Sequence, residues 1–335
     1  MGLYRFTLAI LVLLSHTGFT IYEYNQGVMA VISFLLISGF TMETLLDKYY
    51  KKKELIKYFY VDRALRLFPQ FIFYLFMTIA IYYTLGINKS IDIYIKDINI
   101  INIVQNIFMI PLGYYMFNGL SGCQIIPPAW TLGLEVTFYI VFPFIYFKNN
   151  KILTSFISII IFILAYSSVI NTNIFGYRLL PGTLFIFIVG AIIKNNKNKK
   201  ERNIVVFIWI FSIILFINLY ISSKYWYPCN KEVLLGLILG IPALAYLKNK
   251  RSSKIDSLLG NLSYGIYLNH FLVMYIIGEF PKSIVARIEL ISISIVLAFI
   301  SYKFIEEPVM KIRKSYRKKI LNNNNSEKYI ESMLV

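Results

Sequence analysis

Charge is scarce in this chain of 335 residues: Asp, Glu, Lys and Arg together make up 15%. A soluble domain of this length needs roughly a quarter charged residues to cover its surface, so a water-facing globule is excluded. Acids are the scarcer sign, 17 against 34 Lys and Arg, which leaves a net charge of +17. Cysteine and histidine number two each. Cys123 and Cys229 follow no spacing motif and lie far from both histidines in sequence, so no metal ligands are assigned; a disulfide between them stays open. There is no internal repeat of the kind that forms the inverted halves of a secondary transporter. The 27 residues after Pro308 are too few for a second catalytic domain.

Apolar residues are abundant, at 58% hydrophobic and 17% aromatic. Mean hydropathy is +0.63. Apolar runs of about 20 residues separated by short basic connectors are the pattern of membrane-spanning helices, because lipid offers no partner for an unpaired backbone group. The pattern predicts an all-α polytopic membrane protein, a bundle of about ten transmembrane helices. The spans are placed near 3–21, 27–46, 68–87, 130–147, 152–170, 179–193, 204–222, 232–247, 260–278 and 286–305. The first lacks a small-residue cleavage site and is followed at once by the second, so it reads as a span rather than a cleaved signal peptide. The connector 88–129 is apolar but broken by Asn and Pro, and is expected to be re-entrant or interfacial.

The basic residues are not spread evenly. Alternate connectors, at 48–66, 148–151, 194–202, 248–254 and 311–319, together with Lys328, hold 25 of the 34; the opposite connectors hold seven. This follows the positive-inside rule. It predicts both termini in the cytoplasm of a multi-pass membrane protein, and it argues against a nucleic-acid partner. Residues 1–308 form the membrane domain, and 309–335 a basic cytoplasmic tail that is partly disordered around its asparagine run.

Ionisable residues inside spans are costly and so raise functional hypotheses. In YRFTLAILVLLSHTGF, Arg5 and His16 are eleven residues apart. Eleven residues make about three turns and roughly 16 Å of helix, which puts both on one face. A neutral imidazole there suits a base; the alternative is a hydrogen bond to a neighbouring helix. In VDRALRLFP, Arg63 and Arg66 at i and i+3 point to one side of a short helix in the loop after span 2. With Arg5 they would make an anion site for a phosphorylated ligand, the alternative being ordinary positive-inside charge. In PPAWTLGLEVTFY, Thr131, Glu135 and Tyr139 share a face behind Trp130. Glu135 needs a partner, and Arg178 is one candidate. In LGNLSYGIYLNH, Ser263, Tyr267 and His270 form another stripe, serving as packing or as site. Ser38 and Gly39 read as small residues for helix packing. The carboxylates of FIEEP are placed beside Lys303 and the basic tail, with Pro308 stopping the helix.

Together these elements resemble the acyltransferase-3 family of bacterial membrane acyltransferases, in order from Arg5 to Pro308. They are Arg-x10-His (Arg5, His16), F-x-x-x-S-G-F (Phe34, Ser38, Gly39, Phe40), Arg-x-x-Arg-x-x-Pro (Arg63, Arg66, Pro69), the block with Trp130, Glu135, Phe138 and Tyr139, the run Leu259 to His270, and E-x-P (Glu306, Pro308). Val136 stands where many relatives have a second Glu. Some relatives also carry a C-terminal hydrolase-like domain, which this sequence lacks. The resemblance implies an O-acyltransferase that moves an acyl group, commonly acetyl, from a coenzyme A thioester to a hydroxyl of an envelope or exported glycan. On that reading His16 and Glu135 are catalytic, Arg5, Arg63 and Arg66 hold the donor, and Trp130, Arg178, Tyr267 and His270 line the site. Intramembrane His, Glu and Arg are also what a proton-coupled transporter or flippase uses, so a carrier is the competing class.

Overall fold

The computed structural model describes residues 1–85, 95, 98–195, 199–224, 229–278 and 280–333. Among them there is no strand. The helices are α1 Gly2–Ser15, α2 Gln26–Tyr49, α3 Ile56–Leu85, α4 Ile100–Ile107, α5 Trp130–Lys148, α6 Lys151–Tyr166, α7 Leu180–Asn195, α8 Lys199–Ile221, α9 Asn230–Leu247, α10 Lys254–Ile277, α11 Ile284–Ser301 and α12 Glu307–Met333. Among the described residues, seven stretches, containing α2, α3, α5, α7, α8, α9 and α11, are long and apolar enough to cross a membrane. α1 and α6 are apolar but shorter. α10 has 24 residues, yet Asn261, Ser263, Asn269 and His270 dilute its hydropathy.

α7 sits at the centre. Every residue from Gly182 to Ile193 is buried, as expected of a helix apolar all round. It meets α2 closely at two glycines: a Cβ on Gly39 would lie 1.7 Å from the Phe187 carbonyl oxygen, and one on Gly190 would lie 1.9 Å from that of Leu36. Small residues let backbones approach where lipid provides no hydrophobic drive for helices to associate. α10, buried continuously from Leu262 to Tyr275, packs on α1, and the two cross at Gly2 and Gly260. α6, α8 and α11 instead expose large apolar side chains such as Phe156, Phe207 and Val296, the surface a lipid-facing ring requires.

Three local expectations change. α1 stops at Ser15, and His16 caps it instead of lying inside a longer helix; the Ser15 and Thr17 hydroxyls bond back to Val12 and Leu14 carbonyls, and Gly18 turns the chain at φ +72°. α3 starts twelve residues before the predicted span, so Arg63 and Arg66 lie within one 30-residue helix that also contains Pro69. Pro308 does not stop the helix: a π-helical turn, Tyr302–Glu306, precedes it, and proline is tolerated in a first helical turn, where its missing N–H has no role. α12 runs from Glu307 to Met333.

Parts of the connector 88–129 (88–94, 96 and 97) fall outside the described residues, as do Lys89, Lys96 and Lys197 of the charge argument. The described part holds α4, too short to cross, with Ile100, Ile101 and Val104 exposed, and a 3-10 turn, Ile110–Tyr114, which packs on α5 through Gly113 against Gly133. Both cysteines are free thiols.

Candidate active site

α1, α2, α3, α5 and α10 enclose a narrow cavity of about 140 Å³. Arg5, Arg63 and Arg66 line it with Ser38, Glu135 and Tyr139, and Thr131, Ser263, Tyr264 and Tyr267 complete its polar side. Five helices, some far apart in sequence, are thus brought together. The α5 stripe of Thr131, Glu135 and Tyr139 faces this space as its spacing predicted.

The three arginines differ in how they are held. Arg63 donates to Asp62 at 2.5 Å, and that buried carboxylate also accepts from Arg313 at 3.2 Å and Arg317 at 2.8 Å. Asp62 thereby pins α12 to α3. Arg66 pairs with Glu306 and stacks over the Tyr264 ring at 5.1 Å. Glu306 was expected beside Lys303 and the tail, but Glu307 takes that role with Lys303 and Lys311. Among the described residues the Arg5 guanidinium has no hydrogen-bond or ion-pair partner. Glu135 attracts it across the cavity, while its two companions are held in place by carboxylates.

Glu135 does not pair with Arg178. It accepts from the Ser38 hydroxyl at 2.5 Å and from the Tyr139 hydroxyl. Ser38, read from sequence as a packing residue, is therefore a polar wall of the cavity; its place within a small-residue pair hid it. Arg178 bonds Asn173 and lies over the Trp130, Tyr177 and Tyr115 rings at 5.3, 5.4 and 6.0 Å. Trp130 and Arg178 form this separate aromatic cluster at the start of α5 and do not line the cavity.

The two histidines come together. His16 Nδ1 and His270 Nε2 are 3.1 Å apart, with the rings stacked at 5.1 Å. His270 Nδ1 lies 3.0 Å from the Ile266 carbonyl oxygen, which can only accept, so that nitrogen carries the proton. The Nε2 of a neutral His270 is then a bare acceptor, and His16 Nδ1 must donate to it. This assignment, made from the hydrogen-bond pattern, leaves the lone pair of His16 on Nε2. Neither histidine lines the cavity. The sequence of contacts from it is Tyr267, whose ring meets His270 at 6.3 Å, then His270, then His16. Tyr267 itself is fixed by Thr131 at 2.5 Å and by the Pro128 carbonyl at 2.9 Å. The cavity that Arg5 lines does not reach His16; Tyr267 stands at its wall, in contact with His270.

At the Arg5 end, α1 has no capping side chain of its own. Asp256 of α10 supplies one, accepting from the Leu3 N–H at 2.8 Å and the Met1 ammonium at 3.3 Å. The Leu3 N–H, then Ser252, hold the Asp256 carboxyl well below the usual carboxylate range.

Residues 2–302 match the acyltransferase domain that defines the acyltransferase-3 family. The chain belongs to that family. It is therefore an acyltransferase, and the carrier reading gives way to the enzyme. An uncharacterised protein of Aquifex aeolicus (strain VF5) is 36% identical over 198 residues, covering 56% of this chain and 89% of its own. A protein of Staphylococcus aureus (strain COL), named provisionally as an O-acetyltransferase, is 27% identical over 345 residues. The O-acetyltransferase OatA of Staphylococcus aureus (strain NCTC 8325 / PS 47) is 25% identical over 337. Each staphylococcal match covers 88% of this chain and 55% of the relative, so the acyltransferase spans about half their length. No solved structure matches it.

Proposed function

We propose that this acyltransferase moves an acyl group, acetyl in the simplest case, from a coenzyme A thioester to a hydroxyl of a cell-envelope or exported glycan. The observation that carries the reading is the cavity in which Arg5, Arg63 and Arg66 meet Glu135 and Tyr139. A guanidinium at the cavity mouth, Arg5, suits a donor phosphate through fork-shaped hydrogen bonding, and Arg63 and Arg66, held by Asp62 and Glu306, add positive charge that draws the polyanionic donor in. The names of the staphylococcal relatives support the O-acyl product. The lysine and arginine distribution supports donor entry from the cytoplasm, with both termini on that side, in the inner membrane of a bacterium.

His16 Nε2 is the proposed base. It takes the proton of the acceptor hydroxyl as that oxygen attacks the thioester carbonyl. The C–S bond breaks, an O-ester forms, and the imidazolium returns its proton to the departing thiolate. His270 fixes the tautomer that makes this available, and a positioned base contributes about 10²–10⁴-fold. Tyr267 must turn for the thioester to reach the histidines. Glu135, which lines the cavity directly, is the competing base, and that placement is what favours the second reading; in the first, it orients the Ser38 and Tyr139 hydroxyls. The test is glycan O-acetylation by mass spectrometry, with purified protein and acetyl-CoA. His16→Ala should slow transfer by about 10²–10⁴-fold while CoA binding persists. A His16→Ala protein that transfers at the wild-type rate, with Glu135→Gln inactive, would move the base to Glu135. Wild-type protein that binds no CoA would overturn the donor.

A further inference from the structure

Arg5 lines a second cavity as well. This one, of about 360 Å³, lies at the basic end between α1, the α9–α10 connector and the start of α10. Lys248 and Lys250 line it with Ser252, Asp256 and Asn261. It is more than twice the volume of the inner cavity, and the two share Arg5. Neither lysine belongs to the motifs that carry the family resemblance.

The charge in this outer cavity is unevenly satisfied. Its one carboxylate, Asp256, is occupied by the Met1 ammonium, the Leu3 N–H and the Ser252 hydroxyl. It is thus committed to fixing α1 rather than to neutralising lysine. Lys248 gives one N–H to the Ile193 carbonyl oxygen at 3.2 Å; an ammonium has three, so two remain. Lys250 lies 4.6 Å over the Tyr246 ring, a cation–π contact that neutralises none of its charge. Arg5 makes no ion pair at salt-bridge distance among the described residues, and Glu135 acts on it only across the inner cavity. Three cations therefore converge on a wide cavity whose inner neighbour is narrow.

That pair of shapes suits a ligand with a bulky polyanionic head and a thin arm. We infer that the outer cavity seats the phosphorylated nucleotide half of the donor, with Lys248 and Lys250 as phosphate ligands and Arg5 holding the phosphate at the junction where the arm enters the inner cavity. The inference rests on the coenzyme A reading above and adds to it a specificity site in the α9–α10 connector. It makes the nucleotide, and not the acyl arm alone, a determinant of donor affinity.

The test uses the full-length protein in detergent and compares acetyl-CoA with acetyl-pantetheine, which carries the same thioester without the nucleotide. Binding of adenosine 3′,5′-bisphosphate alone is measured beside them. The expected result for Lys248→Ala/Lys250→Ala is a KM for acetyl-CoA raised at least about tenfold, as loss of charge-assisted contacts implies. Bisphosphate binding weakens in parallel, and the preference for acetyl-CoA over acetyl-pantetheine falls by the same factor. Lys248→Arg/Lys250→Arg keeps most of that preference. If wild type binds CoA and the alanine variant binds it equally, the nucleotide site is wrong while the donor reading stands. A loss of equal size for both thioesters marks the lysines as structural and also overturns the site. If wild type binds no CoA, the donor reading itself falls.

Discussion

The Arg5 end of α1 and its His16 end are served by the same partner helix, α10, yet they are built by different means. At the Arg5 end, charges from α1, α3 and α12 are matched by Asp62, Glu306 and Asp256, and one guanidinium is left over. At the His16 end there is no carboxylate in the hydrogen-bond chain at all: one imidazole orders the other, and a backbone carbonyl orders both. The first arrangement suits holding an anion, since opposite charge on fixed supports discriminates phosphate from neutral ligands. The second suits proton transfer, since it fixes which nitrogen carries the lone pair without committing a charge. On the proposed reading, binding and chemistry sit at opposite ends of α1, 14 residues long with His16 as its C-cap.

Four experiments probe that separation, beginning with the greatest expected change. His16→Ala should lower kcat by about 10²–10⁴-fold with little change in CoA affinity, and His270→Gln by less, since only the tautomer is released. A fall in CoA affinity as large as the fall in kcat would merge the two ends into one site. Asp62→Ala removes the acceptor shared by Arg63, Arg313 and Arg317. Breaking a buried pair in this way costs about 3–5 kcal/mol, read as a lowered unfolding midpoint in detergent. An unchanged midpoint would mean that α12 is not anchored through Asp62. Arg5→Ala should raise the donor KM by about 10–100-fold, the worth of a charged hydrogen bond, and leave the unfolding midpoint near wild type because Arg5 has no ion pair to lose. A large stability loss would show Arg5 to be structural.

The smallest effect is pH-dependent. Folding depresses the Asp256 carboxyl, through the Leu3 N–H first and Ser252 second. A depressed group contributes stability in full above its unfolded value of about 4, and loses it as pH falls through the folded value. Asp256→Asn should therefore lower the midpoint near pH 7, with the gap to wild type shrinking below about pH 4 as the wild-type carboxylate protonates. A gap that stays constant with pH would assign the effect to packing at the Gly2–Gly260 crossing.

Much of the site was legible before any coordinates. The i, i+4, i+8 stripe of Thr131, Glu135 and Tyr139 needed only the helical period, and all three line the cavity. Arg63 and Arg66 were read as a pair from their spacing, and they face the same cavity from within α3. Ser38 was not, because a serine beside a glycine in an apolar run has the same pattern whether it packs or donates. The pairing of Glu135 with Arg178 failed because α5 turns its carboxylate toward α2, while Arg178 is taken up by the Trp130 and Tyr177 rings and Asn173.

Hydropathy, helical period and charge asymmetry are properties of contiguous residues. For that reason the sequence by itself determined the helical membrane class, the faces of the helices and the residue types available for chemistry. Which groups meet was decided by helix crossings between residues hundreds of positions apart. His16 and His270 are separated by 254 residues, and Arg66 and Glu306 by 240. Only the packing of α1, α3 and α10, set by backbone approach at positions such as Gly2 and Gly260, could decide that one arginine stays unpaired and that one imidazole keeps a free lone pair.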